Sequence, residues 1–215
     1  MDYNNKSDQR RVKDIVAKMR TVKHKRVETF LSVHSSANRV YVVSKLLEFG
    51  ARHDLYYLIH IRNHFTDAQM GDVAYQLLEQ LTSIHQQDII YKYLSPKHVR
   101  VTAGFHGSLE SDSIKLNIRD LALMQLMDCR KATDLDDKIC GSNRVFFAPE
   151  VSEETAKVTP LADVWSLGAI LYVLIANQVI SDQRITKKDS DVFDFRQPEW
   201  SQCSKSVTEF IKGCL

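Results

Sequence analysis

The sequence predicts an α+β domain made mainly of helices. Three observations carry this. Leu161 to Ile175, LADVWSLGAILYVLI, is apolar almost all round, with Asp163, Ser166 and Tyr172 as its strongly polar side chains. A helix without a polar face belongs in the interior. Met70, Val73, Ala74, Leu77, Leu78, Leu81 and Ile84 make a second helical stripe. Val27 to His34 and Arg39 to Leu47, rich in β-branched and aromatic residues, flank Ser35-Ser36-Ala37-Asn38 and read as one β-hairpin.

Composition sets outer limits. The chain has 215 residues, ordinary hydrophobic content and a net charge of +2. That is enough chain for one sizeable core, and neither a disordered chain nor a general nucleic-acid binder is expected. Cys129, Cys140, Cys203 and Cys214 are scattered without a CxxC pair, which reads as reduced thiols in an intracellular protein, cytoplasmic or cytoskeletal. There is no apolar leader or membrane span in the sequence, and the central run is shorter than the roughly 20 residues that cross a bilayer.

In chain order, residues 1–8 are polar and expected to be flexible. Arg10 to Arg26 is basic, with Val12, Ile15, Val16, Met19 and Val22 at helical spacing. Such a helix is either a solvated basic face or a docking surface for an acidic partner or a membrane. After the hairpin, a linker at Glu48 to Arg52 leads to a short helix near Asp54 to Ile61. Thr66 with Gln69 forms a capping box for the second stripe. Ile89 to Val101 is strand-like around Ser95-Pro96, Thr102 to Ser113 is a surface loop, and Ile114 to Leu116 is a short strand. An irregular stretch then runs to Glu150. Thr159 is expected to cap the central helix, Pro160 to occupy its first turn and Asn177 to end it. Ser181 to Gln197 is polar and weakly structured. Trp200 anchors the last segment, where Val207, Phe210, Ile211 and Cys214 mark a final helix. His60 and His64, four residues apart, are either a metal pair or two surface histidines; no carboxylate or cysteine has matching spacing, so no metal site is expected.

These motifs, in this order, resemble a protein kinase. DVWSLG resembles the start of the central helix of the C-terminal lobe, where Asp163 is expected to hold the backbone of the catalytic loop, with Trp165 as a structural residue. Phe147-Ala148-Pro149-Glu150 matches the APE motif, with Pro149 and Glu150 as structural residues. The similarity covers residues 9–215 and is nearest to the calcium/calmodulin-dependent type. It implies a flexible stretch at 1–8, an N-lobe remnant of helix C and β-hairpin at 9–47, and a kinase-like C-terminal lobe at 48–215. The glycine-rich loop and the lysine strand have no counterpart in these residues. The Glu150 partner, an arginine beyond helix H, has none either.

The resemblance also identifies the positions that depart from the family pattern. The catalytic loop, expected to read H-R-D-L-K-P-x-N, reads Tyr91-Lys92-Tyr93-Leu94-Ser95-Pro96-Lys97-His98. Tyr93 stands at the catalytic aspartate and His98 at the magnesium-binding asparagine. The DFG motif becomes Ile118-Arg119-Asp120, with Asp120 two residues late. A phenol with a pKa of about 10 is a poor base near neutrality, and neutral imidazole is a poor magnesium ligand. The expectation drawn from these positions is a truncated pseudokinase that is no enzyme, binds no ATP–magnesium or other cofactor, and acts as a scaffold or structural subunit of a larger assembly. The alternative is an atypical kinase or nucleotide-binding regulatory switch. The hairpin resembles strands four and five of the five-stranded kinase N-lobe sheet. Without counterparts of strands one to three it has an open edge, so a protein partner is expected on residues 9–47, at Arg10, Arg11, Lys18, Val40 and Val42.

Overall fold

The computed structural model describes residues 6–36, 40–45, 53–61, 65–103, 114–126, 144–152, 157–177 and 192–215. Its helices are α1 (Lys6–Met19), α2 (Leu55–Ile61), α3 (Asp67–His85), α4 (Leu121–Leu126), α5 (Pro149–Ser152), α6 (Leu161–Ala176) and α7 (Lys205–Cys214). Its strands are β1 (Phe30–Ser35), β2 (Val40–Ser44), β3 (His53–Asp54), β4 (Val99–Ala103) and β5 (Lys115–Ile118). β1 and β2 form an antiparallel pair, and β3, β4 and β5 form a second antiparallel sheet in that order. The result is a mainly helical domain with a small β component.

α6 is the axis of the core. Apart from exposed Leu161 and half-buried Val164 and Trp165, its residues are buried through Ala176. A helix wrapped on all sides needs an apolar circumference, and each fully buried Leu or Ile contributes about 1.5–3 kcal/mol. Asn177 ends it in the left-handed region, φ 48°, a conformation asparagine tolerates. The start differs from expectation. Pro160 is the N-cap and no side chain caps the helix; Thr159 contributes its carbonyl, which accepts the Ala162 N–H at 3.0 Å.

α3 packs against α6 on one side and β5 on the other. Its capping box is formed, with Thr66 Oγ1 accepting from Gln69 N at 3.3 Å and Gln69 Oε1 accepting from Thr66 N at 3.1 Å. Its buried face includes two glutamines, Gln76 and Gln80, among the apolar residues. Gln76 Oε1 accepts from Leu116 N (3.0 Å) and its Nε2 donates to Ile114 O (2.6 Å). Gln80 Oε1 accepts from Ile118 N (2.8 Å) and its Nε2 donates to Leu116 O (3.0 Å). Two amides one helical turn apart, about 6 Å, match the spacing of alternate residues along a strand, about 6.6 Å. The side chains thus satisfy the edge of β5 as another strand would.

α7 and residues 192–202 close the other side of α6. Tyr172 meets Phe193, Phe195 and Trp200 with ring centroids 4.9, 5.3 and 5.1 Å away, and its hydroxyl contacts the Asp194 backbone at 3.0 Å. Ser204 caps α7 by accepting from Val207 N, and Ile211 is its buried anchor.

Several boundaries differ from those read in the sequence. α1 begins at Lys6, inside the stretch expected to be flexible, and ends at Met19; Val22 is buried beyond the helix, in a segment of turns. Ser35 lies in β1 rather than in the turn. Of Ile89 to Val101, only the part from Val99 is strand, because residues 89–95 serve as a loop and Pro96–His98 as a 3-10 turn. The irregular stretch before Glu150 contains α4, too short for its period to stand out. Much of the loop at 102–113, and residues 46–50, 127–143 and 178–191 with Cys129, Cys140 and His64, lie outside the described residues. Cys203 and Cys214 are free thiols.

α6 and α7 cross closely at Gly168, where an added Cβ would lie 2.7 Å from Cys214 Cβ and 3.1 Å from Leu215 side-chain atoms. Gly168→Ala is expected to destabilise by about 1–3 kcal/mol, as overpacking does, despite the better helix propensity of alanine. Urea denaturation checks this, and an unchanged midpoint would contradict the close crossing.

Candidate functional site

The site is assembled from the loop 91–98, the segment Ile118–Asp120 and the first turn of α6. Asp163, on that turn, is fully buried. Its Oδ2 accepts from Tyr91 N and its Oδ1 from Lys92 N, each at 2.8 Å. His85 Nε2, at the end of α3, lies 2.7 Å from the same Oδ2. A carboxylate removed from water must be met by donors, and three converge here. Trp165 and Ser166 then hold the segment before α5, donating to Val145 O and Phe146 O at 3.3 and 2.6 Å. Pro149 and Glu150 open α5, both half-buried.

The loop is tied to the Ile118–Asp120 segment by both backbone and side chain. Tyr91 is fully buried and its hydroxyl donates to Arg119 O at 2.7 Å, while Arg119 N donates to His98 O at 3.0 Å. Burial pushes the Tyr91 phenol well above its ordinary value, with the Asp120 and Glu28 charges adding to the effect. Lys92 and Asp120 both have positive φ, 72° and 58°. Aspartate accepts this conformation more readily than most residues, which suits Asp120 to the position a glycine would hold. Arg119 Nε pairs with Asp120 Oδ2 at 2.5 Å.

Tyr93 is nearly buried, its ring edge-on to Phe147 at 5.2 Å. His98 is buried, its Nδ1 3.2 Å from the hydroxyl of buried Ser95 and its ring tilted against Tyr91. Burial lowers the His98 pKa from 6.5; Arg119 and Lys97 lower it further, while Asp120 and a backbone hydrogen bond at Tyr93 oppose this. Ile118 is fully buried in β5. Chemically, besides the buried Asp163–His85 pair, the site presents the imidazole of His98, disfavoured from charging by burial, a phenol held protonated, and the Asp120 carboxylate paired to its neighbouring guanidinium. Among the described residues no group of three or more histidine, cysteine, aspartate or glutamate side chains is placed to hold a metal. His60 instead lies edge-on to Tyr56.

Of the residues expected to bind a partner, Arg10 and Lys18 are exposed on α1. Val42 is only half-exposed and packs towards the core. Strand alternation turns Tyr41 and Val43 outward in its place. The side chains of Arg11 and Val40 lie outside the described residues. The sequence reading passed over His85 and Glu28. The signal for His85 was a histidine in the last turn of α3, six residues before Tyr91; Glu28 carried none, since its surroundings come from β2 and the Ile118–Asp120 segment.

Two outcomes are expected from this geometry. Asp163→Ala leaves buried donors unpaired and should cost about 2–4 kcal/mol in urea denaturation, more than Asp163→Asn, which keeps an acceptor. A wild-type midpoint for the alanine variant would remove Asp163 from its anchoring role. For His98, the folded value is depressed, so its neutral form stabilises the fold fully above about pH 6.5 and that contribution is lost as pH falls through the lower folded value. Imidazole NMR should give a His98 midpoint below 6.5; one at or above it contradicts the burial argument.

The protein kinase domain model matches residues 2–215. A probable myosin light chain kinase of Dictyostelium discoideum is 26% identical over 92% of this chain and 54% of its own length. Human calcium/calmodulin-dependent protein kinase type 1B is 24% identical, over 95% and 57% respectively. Mouse serine/threonine-protein kinase 33 is 22% identical, over 93% and 41%. The chain thus spans about half the length of the curated relatives it matches. These findings correct the expectation, drawn from the catalytic-loop and DFG positions and the missing lysine strand, that the chain is no enzyme: proteins named as kinases are similar to it along almost its entire length. The chain belongs to the protein kinase domain family, close to the calcium/calmodulin-dependent type.

Proposed function

We propose that this kinase-family domain serves as a scaffold or structural subunit of a larger intracellular assembly, cytoplasmic or cytoskeletal, holding a protein partner against residues 9–47. The observation that carries the reading is the outer face of the hairpin. Leu31, Tyr41 and Val43 are 52%, 49% and 40% exposed there. An apolar patch of this kind is characteristic of an interface. α1, which contacts β1, and the turns after it expose Arg10, Lys13, Lys18, Arg20, Lys23 and Lys25, with Asp14 as an exposed acid. That surface suits a partner segment that is acidic as well as apolar, with charge setting the rate and specificity of docking. No helix among the described residues is long and apolar enough to cross a membrane.

A second reading, an atypical kinase or nucleotide-regulated switch, is favoured by one observation: Asp163 and Tyr91 hold the loop and the Ile118–Asp120 segment together although their side chains differ from the family pattern. Under it, Asp120 would have to release the Arg119 guanidinium to meet a cation.

Purification of the native complex tests the first reading. Tyr41→Asp with Lys18→Glu, both at exposed positions, should weaken assembly at least about tenfold while leaving the melting temperature nearly unchanged. Hydrogen exchange should show the β1–β2 amides gaining protection in the complex. Wild-type assembly by the double variant places the interface elsewhere. Magnesium-dependent phosphate transfer that Asp120→Asn abolishes would favour the second reading.

A further inference from the structure

We infer that Glu28 is a proton-operated latch between the β1–β2 hairpin and the Ile118–Asp120 segment: neutral, it seals the two together, and ionised, it loosens them.

The backbone at Glu28 is already committed to that contact. Val27 makes a parallel bridge to Ile118, Glu28 N donates to Ile118 O at 3.0 Å, and Ile118 N donates to Arg26 O at 3.1 Å. On the hairpin side, Ser44 Oγ donates to Glu28 Oε1 at 2.6 Å and Lys45 N donates to Thr29 O at 2.7 Å. One carboxyl oxygen therefore joins β2 to the segment preceding β1. The other, Oε2, is shut off from solvent and receives no well-aligned hydrogen bond, the Asp120 backbone N–H lying near enough to the carboxyl only to offset part of its burial. An unpaired buried oxygen is costly when charged and far less so when it carries a proton.

The groups facing Glu28 favour the neutral form. Burial is the largest influence and raises its pKa from 4.5. The Asp120 carboxylate acts in the same direction, while the Ser44 hydroxyl, the Asp120 backbone amide and the Arg119 guanidinium oppose it. Tyr91, on which the Glu28 charge also acts, is held protonated and brings no charge. The sign follows by linkage. A carboxyl whose folded value lies above its unfolded one stabilises the closed arrangement fully below about 4.5, and this is lost as pH rises through the folded value.

The test is amide exchange on the whole chain between about pH 4.5 and about pH 7.5, corrected for intrinsic rates, at Glu28, Lys45 and Ile118. In the wild type, protection should fall several-fold as pH rises. Glu28→Gln, which keeps an acceptor for Ser44 and cannot ionise, should be flat. Asp120→Asn should keep the transition. Equal slopes in wild type and Glu28→Gln overturn the latch, as does loss of the transition in Asp120→Asn, which would make Asp120 the titrating group. Should Glu28→Gln not fold, carboxyl-carbon NMR of the wild type decides. A Glu28 midpoint above 4.5 that coincides with the loss of protection supports the latch, and one at or below 4.5 overturns it.

Discussion

The buried carboxylate of Asp163 is the interaction on which the rest depends. It sits in the first turn of an otherwise apolar helix, where no water reaches it. The backbone of Tyr91 and Lys92 and the imidazole of His85 must therefore come to it. That requirement sets the path of the loop 91–98, including the positive φ at Lys92, a conformation that lysine adopts only when its surroundings hold it there. With the loop in place, Tyr91 reaches Arg119 and His98 reaches its backbone amide. One charge in the core thus positions three segments far apart in sequence, and none of these contacts depends on the side chains at Tyr93, His98 or Ile118 that depart from the family pattern.

A second constraint is the edge of β5. A three-stranded sheet in a helical domain leaves backbone groups that must be satisfied. The amides of Gln76 and Gln80 do this from within the buried face of α3. Gln76 also accepts from Arg26 at 2.6 Å, so the turn after α1 is fastened to the same residue. Two polar side chains in an apolar stripe would be expensive without partners. With partners on a strand, they fix the register between helix and sheet.

Much of this was legible in the sequence. α3, α6 and α7 follow from apolar periodicity and caps, because a long buried face imposes its period over several turns. The hairpin follows from β-branched runs. What escaped is whatever depends on tertiary contact. α4 has too few residues to declare a period. Val42 was read as a partner-binding position; in the fold it pairs with Val33 and is half-buried against the core, while Tyr41 and Val43 lie outside. In the site, Asp163 was legible as a buried charge needing donors, whereas its third donor, His85, was not. Glu28 reads as an ordinary surface acid until the fold brings Ile118 to its backbone and Ser44 to its side chain.

Ile118 is where these constraints meet. Its N–H lies between Arg26 O and Gln80 Oε1, and its carbonyl accepts from Glu28. It is fully buried, so none of these bonds exchanges readily with water. The hairpin is therefore joined to the rest of the domain at this point through the backbone of one residue. A force applied to its outer face, or a charge appearing on Glu28, reaches the backbone of β5 directly, and one residue further reaches Arg119, whose amide and carbonyl hold the loop 91–98. Docking on the hairpin's outer face, if it occurs as proposed, would act on the loop through Ile118 and Arg119. The path runs through backbone hydrogen bonds and the Tyr91 hydroxyl, and uses none of the side chains at Tyr93, His98 or Ile118.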